Sequence, residues 1–385
     1  MKQLYMDNGA TSYPKAPGVA ERVFDYLKNV GTNLNRSNFG SSYEAERVAF
    51  ETRELICTLF QYDKPENVVF TKNVTESLNV LIKGIFKSGD HVLISSMEHN
   101  AVMRPLNGLG KRGISYTKIA SDREGVLDIN DIEKHIRPNT KGIIMTHASN
   151  VCGTVIDIES VGNVCKQKGL ILIVDSAQTA GFLDIDFYGM NIDALAFTGH
   201  KSLLGPQGTG GFIISDKLVA EMDFFIEGGT GSLSDLEVQP GFMPDKFESG
   251  TLNVPGIFGL NEALKYIVRE TPEAIRVKEM TLTNMFIEAL LNMDHIELIG
   301  IKSIVNRTGI ISVDFKSADN GMMTQKLYES FGIITRSGLH CAPSAHQTLG
   351  TFPRGTVRFG LGHFMSEGDI LYAIDAIYRL GNITV

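Results

Sequence analysis

The chain has 385 residues, of which 43% are hydrophobic and 21% charged, with a formal net charge of −8 at pH 7. This length predicts two or three domains with large apolar cores, and the negative charge argues against a nucleic-acid partner. We expect no signal peptide and no membrane span, and four cysteines without paired spacing indicate a reducing cytoplasm.

Short apolar runs recur along the first half of the chain, and each is followed by polar or small residues. Stretches of helical length separate most of them, which predicts a mostly parallel sheet flanked by helices, an α/β fold. Ligands bind such sheets beyond the carboxyl ends of the strands. The runs cover residues 68–70, 91–94, 142–145, 170–174 and 194–197.

The residues after the first three runs are candidates for a ligand site. Val74 and Thr75 open a helix whose free amides would hold a phosphate, although an ordinary capped helix fits the same residues. His99 offers an imidazole that could stack on a pyridine ring and relay a proton, or it is a structural histidine. Asn150 carries an amide that could reach a cofactor's phenolic oxygen or a substrate.

The fourth and fifth runs end close to the two most informative residues. Asp175 follows a strand predicted to be buried on both faces, where its carboxylate either keeps a pyridine nitrogen protonated or caps a helix. Gln178 would then hydrogen-bond the phenolic oxygen of the same ring. Lys201 lies among glycines and a proline, the setting for an imine with an aldehyde cofactor, with a surface-loop lysine as the alternative. Together Asp175 and Lys201 predict a pyridoxal phosphate site.

The last third of the chain predicts a smaller domain. A helix over 257–269 is expected to link it to the larger domain, and the run 309–315 is expected to supply one of its strands. Cys57 and Cys165 lie within helical patterns and are expected to be buried.

Cys341 is the candidate nucleophile of this smaller domain. It stands next to His340 and near Arg336 in a segment rich in Gly, Ser and Pro, which indicates an exposed, reactive thiol rather than a buried one. The histidines lack metal-ligand spacing, and a nucleophile loop explains His340, Cys341 and His346 better than a metal does. We therefore predict no metal site.

These residues belong to motifs that resemble the cysteine desulfurases, a family of class V aminotransferase-fold enzymes that includes the selenocysteine lyases. In chain order the motifs are Asp7-Asn8-Gly9-Ala10-Thr11, Thr75-Glu76, Glu98-His99-Asn100, Ser149-Asn150-Val151, Asp175-Ser176-Ala177-Gln178, Thr198-Gly199-His200-Lys201, Glu248-Ser249-Gly250-Thr251-Leu252-Asn253 and Arg336 to Cys341. The resemblance implies fold type I of the pyridoxal phosphate-dependent transferases. It also implies three regions: 1–20 returning to the active site, 21–256 as the large cofactor domain, and 257–385 as a small α+β domain with the cysteine loop.

The same resemblance implies a homodimer with active sites at the interface. Gly250 and Thr251 would reach the phosphate of the neighbouring subunit's cofactor, and Thr198 with His200 would complete the phosphate shell. Val74 stands where many relatives carry a second hydroxyl residue, so its contact with the phosphate would come from the backbone amide alone or be absent. The segment 33–38 only loosely resembles the family's substrate segment, which leaves Arg36 without an assigned role.

The implied reaction converts L-cysteine to L-alanine. Lys201 would remove the α-proton, and the Cys341 thiolate would take the sulfur as a persulfide for a downstream acceptor, with iron-sulfur cluster assembly among the uses. Arg358 is the candidate for binding the substrate carboxylate, with Arg336 and Arg354 as possible substitutes and Ala10 as a further contact.

Two alternatives remain open at this point. One is a selenocysteine lyase that releases selenium from L-selenocysteine, and the other is a low-turnover scaffold or binding partner. Sixteen residues separate Cys341 from Arg358, so the cysteine loop is short, as in the desulfurase subgroup whose loop is compact. That subgroup commonly hands its sulfur to an acceptor protein.

Overall fold

The computed structural model describes residues 3–34, 40–233 and 235–383. Helices α1 to α12 are Val19–Asp25, Gly40–Leu59, Val74–Ile85, Asn100–Gly110, Asn130–His135, Ile158–Lys168, Asp216–Glu221, Val254–Glu270, Pro272–Leu291, Asn320–Phe331, Pro343–Leu349 and Glu367–Ile383. Strands β1 to β13 are Leu4–Tyr5, Val68–Thr71, His91–Ser95, Ser115–Ile119, Thr140–Thr146, Ile171–Asp175, Ala194–Thr198, Gly210–Ile214, Ile296–Ile299, Ile310–Phe315, Ile333–Ile334, Arg336–Gly338 and Thr356–Gly360.

A seven-stranded sheet in the order β2-β8-β7-β6-β5-β3-β4 forms the larger half of the molecule. Its neighbours are parallel except where β8 pairs with β2 and β7. The central strands are apolar throughout because helices cover both faces: Leu172 and Val174 pack into one core, and Ile171 and Ile173 into the other. The predicted mostly parallel α/β sheet is confirmed.

A smaller antiparallel sheet, in the order β12-β13-β10-β9, has its own core. Phe286 of α9, Leu327 of α10 and Ile377 of α12 pack in that core. The strand predicted over 309–315 is present as β10. The predicted linking helix is present as α8, and it packs on α1 and α2 beside the large sheet. The domain boundary at 256/257 remains a prediction.

The N-terminal segment joins the two halves. Strand β1 pairs in parallel with β11, and Asp7 then bridges to Gly360 at the end of β13. A few residues later, the Ser12 amide donates to the carbonyl oxygen of His200 at 2.9 Å. The first dozen residues therefore run from the small sheet to the loop that carries Lys201. Among the described residues, no helix combines the length and apolarity that crossing a membrane requires.

Candidate active site

Asp175 and Lys201 lie at neighbouring strand ends. Asp175 is the last residue of β6, and Lys201 follows the end of the parallel neighbour β7 by three residues. The Asp175 side chain is 3% exposed, and its Oδ1 accepts a hydrogen bond from the Ala177 amide at 3.0 Å. Residues 177–180 form a turn, so Asp175 is not a helix cap. Burial raises the pKa of Asp175, while the positive charge of Lys201 opposes that rise.

The amine of Lys201 has neither a hydrogen-bond nor an ion-pair partner in residues 3–34, 40–233 and 235–383. Burial lowers the pKa of Lys201 to about 8, with a further contribution from Arg358 that the Asp175 carboxylate opposes. A substantial fraction of the amine is therefore neutral near pH 8. A neutral amine is the form that attacks an aldehyde or accepts a proton.

A possible phosphate cradle lies beside these strand ends. Helix α3 begins at Val74, and the Asn73 side chain caps it. The amides of Val74 and Thr75 have no acceptor within the described ranges, so they are available to an anion. The start of α3 passes close to Gly210, where an added Cβ would lie 2.8 Å from the Asn73 Cα, and Gly210 pairs with Thr198. Only glycine allows this approach.

His200 follows the end of β7 by two residues and lies in the same loop as Lys201. Its Nδ1 is buried without a partner in the described structure, and burial lowers the pKa of the imidazole to about 4. Its carbonyl oxygen accepts hydrogen bonds from the Ser12 amide and from Lys15 Nζ, both at 2.9 Å. The ring is therefore neutral and has one nitrogen available for a ligand.

His99 caps helix α4. Its Nδ1 accepts a hydrogen bond from the Ala101 amide at 3.0 Å, so the ring proton sits on Nε2. Burial lowers the pKa of His99 to about 4, followed by the positive charges of Lys201 and Arg358. The imidazole is therefore neutral, and Nε2 is the atom that faces other groups.

Two side-chain amides expected to reach a cofactor donate hydrogen bonds to the protein backbone. Asn150 Nδ2 donates to the carbonyl oxygen of His340 at 2.7 Å, and Gln178 Nε2 donates to that of Gly9 at 3.1 Å. Ala10 lies one residue further on, with its amide bonded to the Asp7 carbonyl oxygen. Contacts of these side chains with a cofactor ring remain predictions.

Cys341 is exposed, whereas Cys57, Cys152 and Cys165 are buried, as expected for Cys57 and Cys165 from the helical patterns. The Cys341 carbonyl oxygen accepts a hydrogen bond of 2.8 Å from the amide of Asn100. This bond places the cysteine loop against the residue that follows His99, although the two segments are far apart in the sequence.

The loop backbone at the cysteine is strained. His340 and Cys341 have φ angles of 47° and 59°, in the left-handed region that residues with a Cβ rarely adopt. The Asn150 side chain and the Asn100 amide hold these two residues through their carbonyl oxygens. The strain therefore persists because neighbouring strand ends fix the loop.

Arg358 is the buried arginine of the site, with 2% exposure. Its Nη2 donates to Asp7 Oδ1 at 2.6 Å, its Nη1 donates to the Asn150 carbonyl oxygen at 3.0 Å, and its Nε has no partner in the described chain. Arg336 lies directly opposite on β12 and is exposed. Arg354 instead pairs with Asp314 of β10 at 2.7 Å and is exposed.

Gly250 and Thr251 are exposed and lie in the loop before α8. With neighbouring residues they line a cavity of about 340 Å³, whose other side is formed by Thr71, Lys72 and Glu76 around the start of α3. A role toward a neighbouring subunit remains a prediction. Arg36 lies outside the described residues.

The sequence did not identify two charged residues of this site. Asp7 and Glu98 both occur in motifs of the resemblance, but nothing in the sequence showed that Asp7 pairs with Arg358 or that Glu98 is fully buried. The described residues contain no group of three or more His, Cys, Asp or Glu side chains that could hold a metal ion.

Comparisons with known proteins agree over nearly the whole chain. Residues 4–372 match the family Aminotransferase class-V. A probable cysteine desulfurase of Methanothermobacter thermautotrophicus is 31% identical over 373 residues, 95% of this chain and 92% of that protein. The cysteine desulfurase IscS of Klebsiella pneumoniae is 30% identical over 393 residues, 98% of this chain and 92% of that protein.

A solved structure shows the same likeness in three dimensions. The apo structure of a cysteine desulfurase from Thermococcus onnurineus superposes with a TM-score of 0.93 at 29% identity, covering 99% of this chain and 95% of that one. The chain belongs to the class-V aminotransferase family and, within it, to the cysteine desulfurases.

Proposed function

We propose that this protein is a pyridoxal phosphate-dependent cysteine desulfurase that converts L-cysteine to L-alanine and carries the sulfur on Cys341. One observation carries the proposal: the exposed Cys341 is hydrogen-bonded through its backbone to Asn100, beside His99. The electrostatic neighbours of His99 include Lys201 and Arg358. The thiol of Cys341, the amine of Lys201 and the guanidinium of Arg358 thus lie in one site.

The residues present fit the cofactor that this family uses. Lys201, whose amine has no partner within the described ranges, would hold the cofactor's aldehyde carbon, and Asp175 would face its ring nitrogen. The free amides at the start of α3 and the unpartnered His200 Nδ1 suit its phosphate. When bound, the cofactor withdraws electrons from the substrate's α-carbon.

The protein's own groups would then bind the substrate, take its α-proton and accept its sulfur. Arg358 binds the substrate carboxylate with its remaining donors, while Asp7 keeps the guanidinium in place. Lys201, with a pKa of about 8, takes the α-proton at mildly alkaline pH.

The Cys341 thiolate completes the reaction by attacking the sulfur of the substrate. A sulfur–sulfur bond forms as the substrate's carbon–sulfur bond breaks, and the bonding electrons stay with the three-carbon fragment. That fragment takes up protons to become alanine, and a persulfide remains on Cys341. No outside oxidant or reductant is consumed.

We further propose a cytoplasmic homodimer that passes its sulfur to an acceptor protein. The exposure of Gly250 and Thr251 supports the dimer, because a neighbouring subunit can reach them without rearranging the core. The exposure of Cys341 supports the transfer, because an acceptor's thiol can approach its sulfur directly.

The role of Lys201 can be tested without measuring turnover. Purified protein mixed with pyridoxal phosphate should develop visible absorbance, and borohydride should fix the cofactor on the peptide containing Lys201, as mass spectrometry would show. Lys201→Ala should give neither result, and Lys118→Ala, which removes another lysine with a lowered pKa, should give both. A wild-type protein that stays colourless and unlabelled would contradict the proposal.

A further inference from the structure

Glu98 is a fully buried carboxyl group directly before His99, with 0% exposure. Its Oε1 accepts two hydrogen bonds, one of 2.6 Å from Ser95 Oγ and one of 2.9 Å from the Thr146 amide. Its Oε2 has no partner anywhere in the described residues. The side chain therefore connects the ends of two strands through a single oxygen atom.

Those strand ends are the ones that carry the cofactor site. Ser95 is the last residue of β3, and the turn that follows it leads to His99. Thr146 is the last residue of β5 and lies opposite Asp175 in the parallel pairing of β5 with β6. The Glu98 carboxyl thus ties the turn before His99 to the strand beside Asp175.

No cationic side chain bonds to Glu98 in the part of the chain that the structure describes. The Asp175 carboxylate disfavours a second negative charge at Glu98, and the positive charge of Lys201 acts on Asp175. Burial raises the pKa of Glu98 to about 8, which the two hydrogen bonds to Oε1 only partly offset. Two adjacent buried carboxylates would be costly to ionise together, and Asp175 has the nearby lysine.

We propose that Glu98 is a positioning residue that works as a neutral carboxylic acid, holding the ends of β3 and β5 so that His99 and Asp175 keep their separation across the site. A neutral Glu98 adds no second negative charge beside Asp175. The inference rests on the proposed function only in taking His99 and Asp175 as the residues that flank the cofactor.

The protonation state can be measured by infrared spectroscopy on the purified protein without substrate. At about pH 6.5 the wild type should show the carbonyl stretch of a protonated carboxylic acid that Glu98→Gln lacks, and this band should disappear by about pH 9.5. Glu279→Gln is the matched control, because Glu279 is also buried, its pKa is raised to about 8 by burial, and it should account for a separate band. Identical spectra of wild type and Glu98→Gln at about pH 6.5 would overturn the inference.

Two further variants test the positioning role. Glu98→Gln keeps an uncharged group and the acceptor oxygen, so its kcat should stay within about threefold of wild type. Glu98→Ala should lower kcat about 100-fold and shift the absorbance of the bound cofactor, since small displacements of catalytic groups have effects of that size. An unchanged kcat and cofactor spectrum in Glu98→Ala would show that Glu98 positions nothing.

Ser95→Ala keeps the inference testable if substitutions at Glu98 prevent folding. The Ser95 hydroxyl lowers the pKa of Glu98, so its removal should move the loss of the infrared band to higher pH. If the pH at which half of the band is lost were the same in Ser95→Ala and wild type, the band would not belong to Glu98. That result would contradict the inference. Because these spectra require no turnover, a failure of the desulfurase proposal would leave their outcome unaffected.

Discussion

Asp7 is the counter-ion of the buried Arg358 guanidinium, and the two side chains are 15% and 2% exposed. A buried charge that loses its partner is costly, and a guanidinium binds a carboxylate well only in a fixed orientation. We therefore expect Asp7→Asn to raise the KM for cysteine about tenfold, equivalent to roughly 1.4 kcal/mol, with a smaller effect on kcat.

The matched control for Asp7 is Asp314→Asn. Asp314, in β10 of the smaller sheet, pairs with Arg354, but Arg354 is 44% exposed, and exposed ion pairs contribute little. Steady-state kinetics should therefore show no change in the control. If Asp7→Asn lowered kcat and left KM unaltered, Asp7 would not be acting through substrate binding.

The loop between β12 and α11 holds Cys341 in a strained conformation, and the Asn150 side chain is one of its attachments. A typical hydrogen bond contributes about 0.5–1.5 kcal/mol, so Asn150→Ala should increase local opening of the loop about 2–10-fold. Hydrogen exchange of the peptide over residues 339–345 should then be faster than in the wild type.

Asn292→Ala provides the comparison for Asn150. Asn292 Nδ2 also donates to a backbone carbonyl, that of Glu288 at 2.8 Å, but at the exposed end of α9. Its loss should leave exchange over 339–345 unchanged. Equal exchange rates in Asn150→Ala and wild type would mean that the Asn150 side chain does not hold the loop.

The strand ends of the large sheet were predictable because buried parallel strands are apolar throughout. Each of the five predicted runs coincides with a strand to within a few residues, and the ends locate Asp175 and Lys201. Helix α8 begins three residues earlier than predicted because the Asn253 side chain accepts a hydrogen bond from the Gly256 amide and caps it.

Contacts between distant segments were not predictable from one sequence. Asp7 and Arg358 are 351 positions apart, and the sequence pattern around Asp7 does not reveal its partner. The sequence pattern around Asn150 likewise does not reveal that its side chain donates to the carbonyl oxygen of His340, 190 positions away. Such pairs depend on how the small sheet packs over the large one.

Glu98 and Glu279 should each lower the free energy of unfolding as pH rises from about 6.5 to 8. Burial raises the pKa of Glu98 and of Glu279 to about 8, so in this range the folded protein keeps protons that the unfolded chain has released. The histidines whose pKa values are lowered by burial act in the opposite sense up to about pH 7.5, because the unfolded chain still holds part of their protons above the ordinary pKa of about 6.5. Lys15 and Lys201, whose pKa values burial lowers to about 8, also act in the opposite sense from about pH 7 upwards. The histidines are His91, His99, His147, His200, His340, His346 and His363.

Thermal unfolding across this range measures the effect. Between about pH 6.5 and 8, the Tm of Glu279→Gln relative to that of the wild type should rise with pH, because the variant lacks one of the two carboxyls whose ionisation destabilises the folded protein in this range. A slope that is the same in both proteins would mean that Glu279 is already ionised in the folded state.

Alanine formation, measured together with the mass of the Cys341 peptide, tests the desulfurase mechanism most directly. With L-cysteine, the wild type and Cys57→Ser should form alanine and add one sulfur atom to Cys341, because Cys57 is buried in α2. Cys341→Ser should bind the cofactor normally and form no alanine from cysteine. Undiminished alanine formation from cysteine in Cys341→Ser would contradict the mechanism, and turnover of L-selenocysteine alone would indicate a selenocysteine lyase.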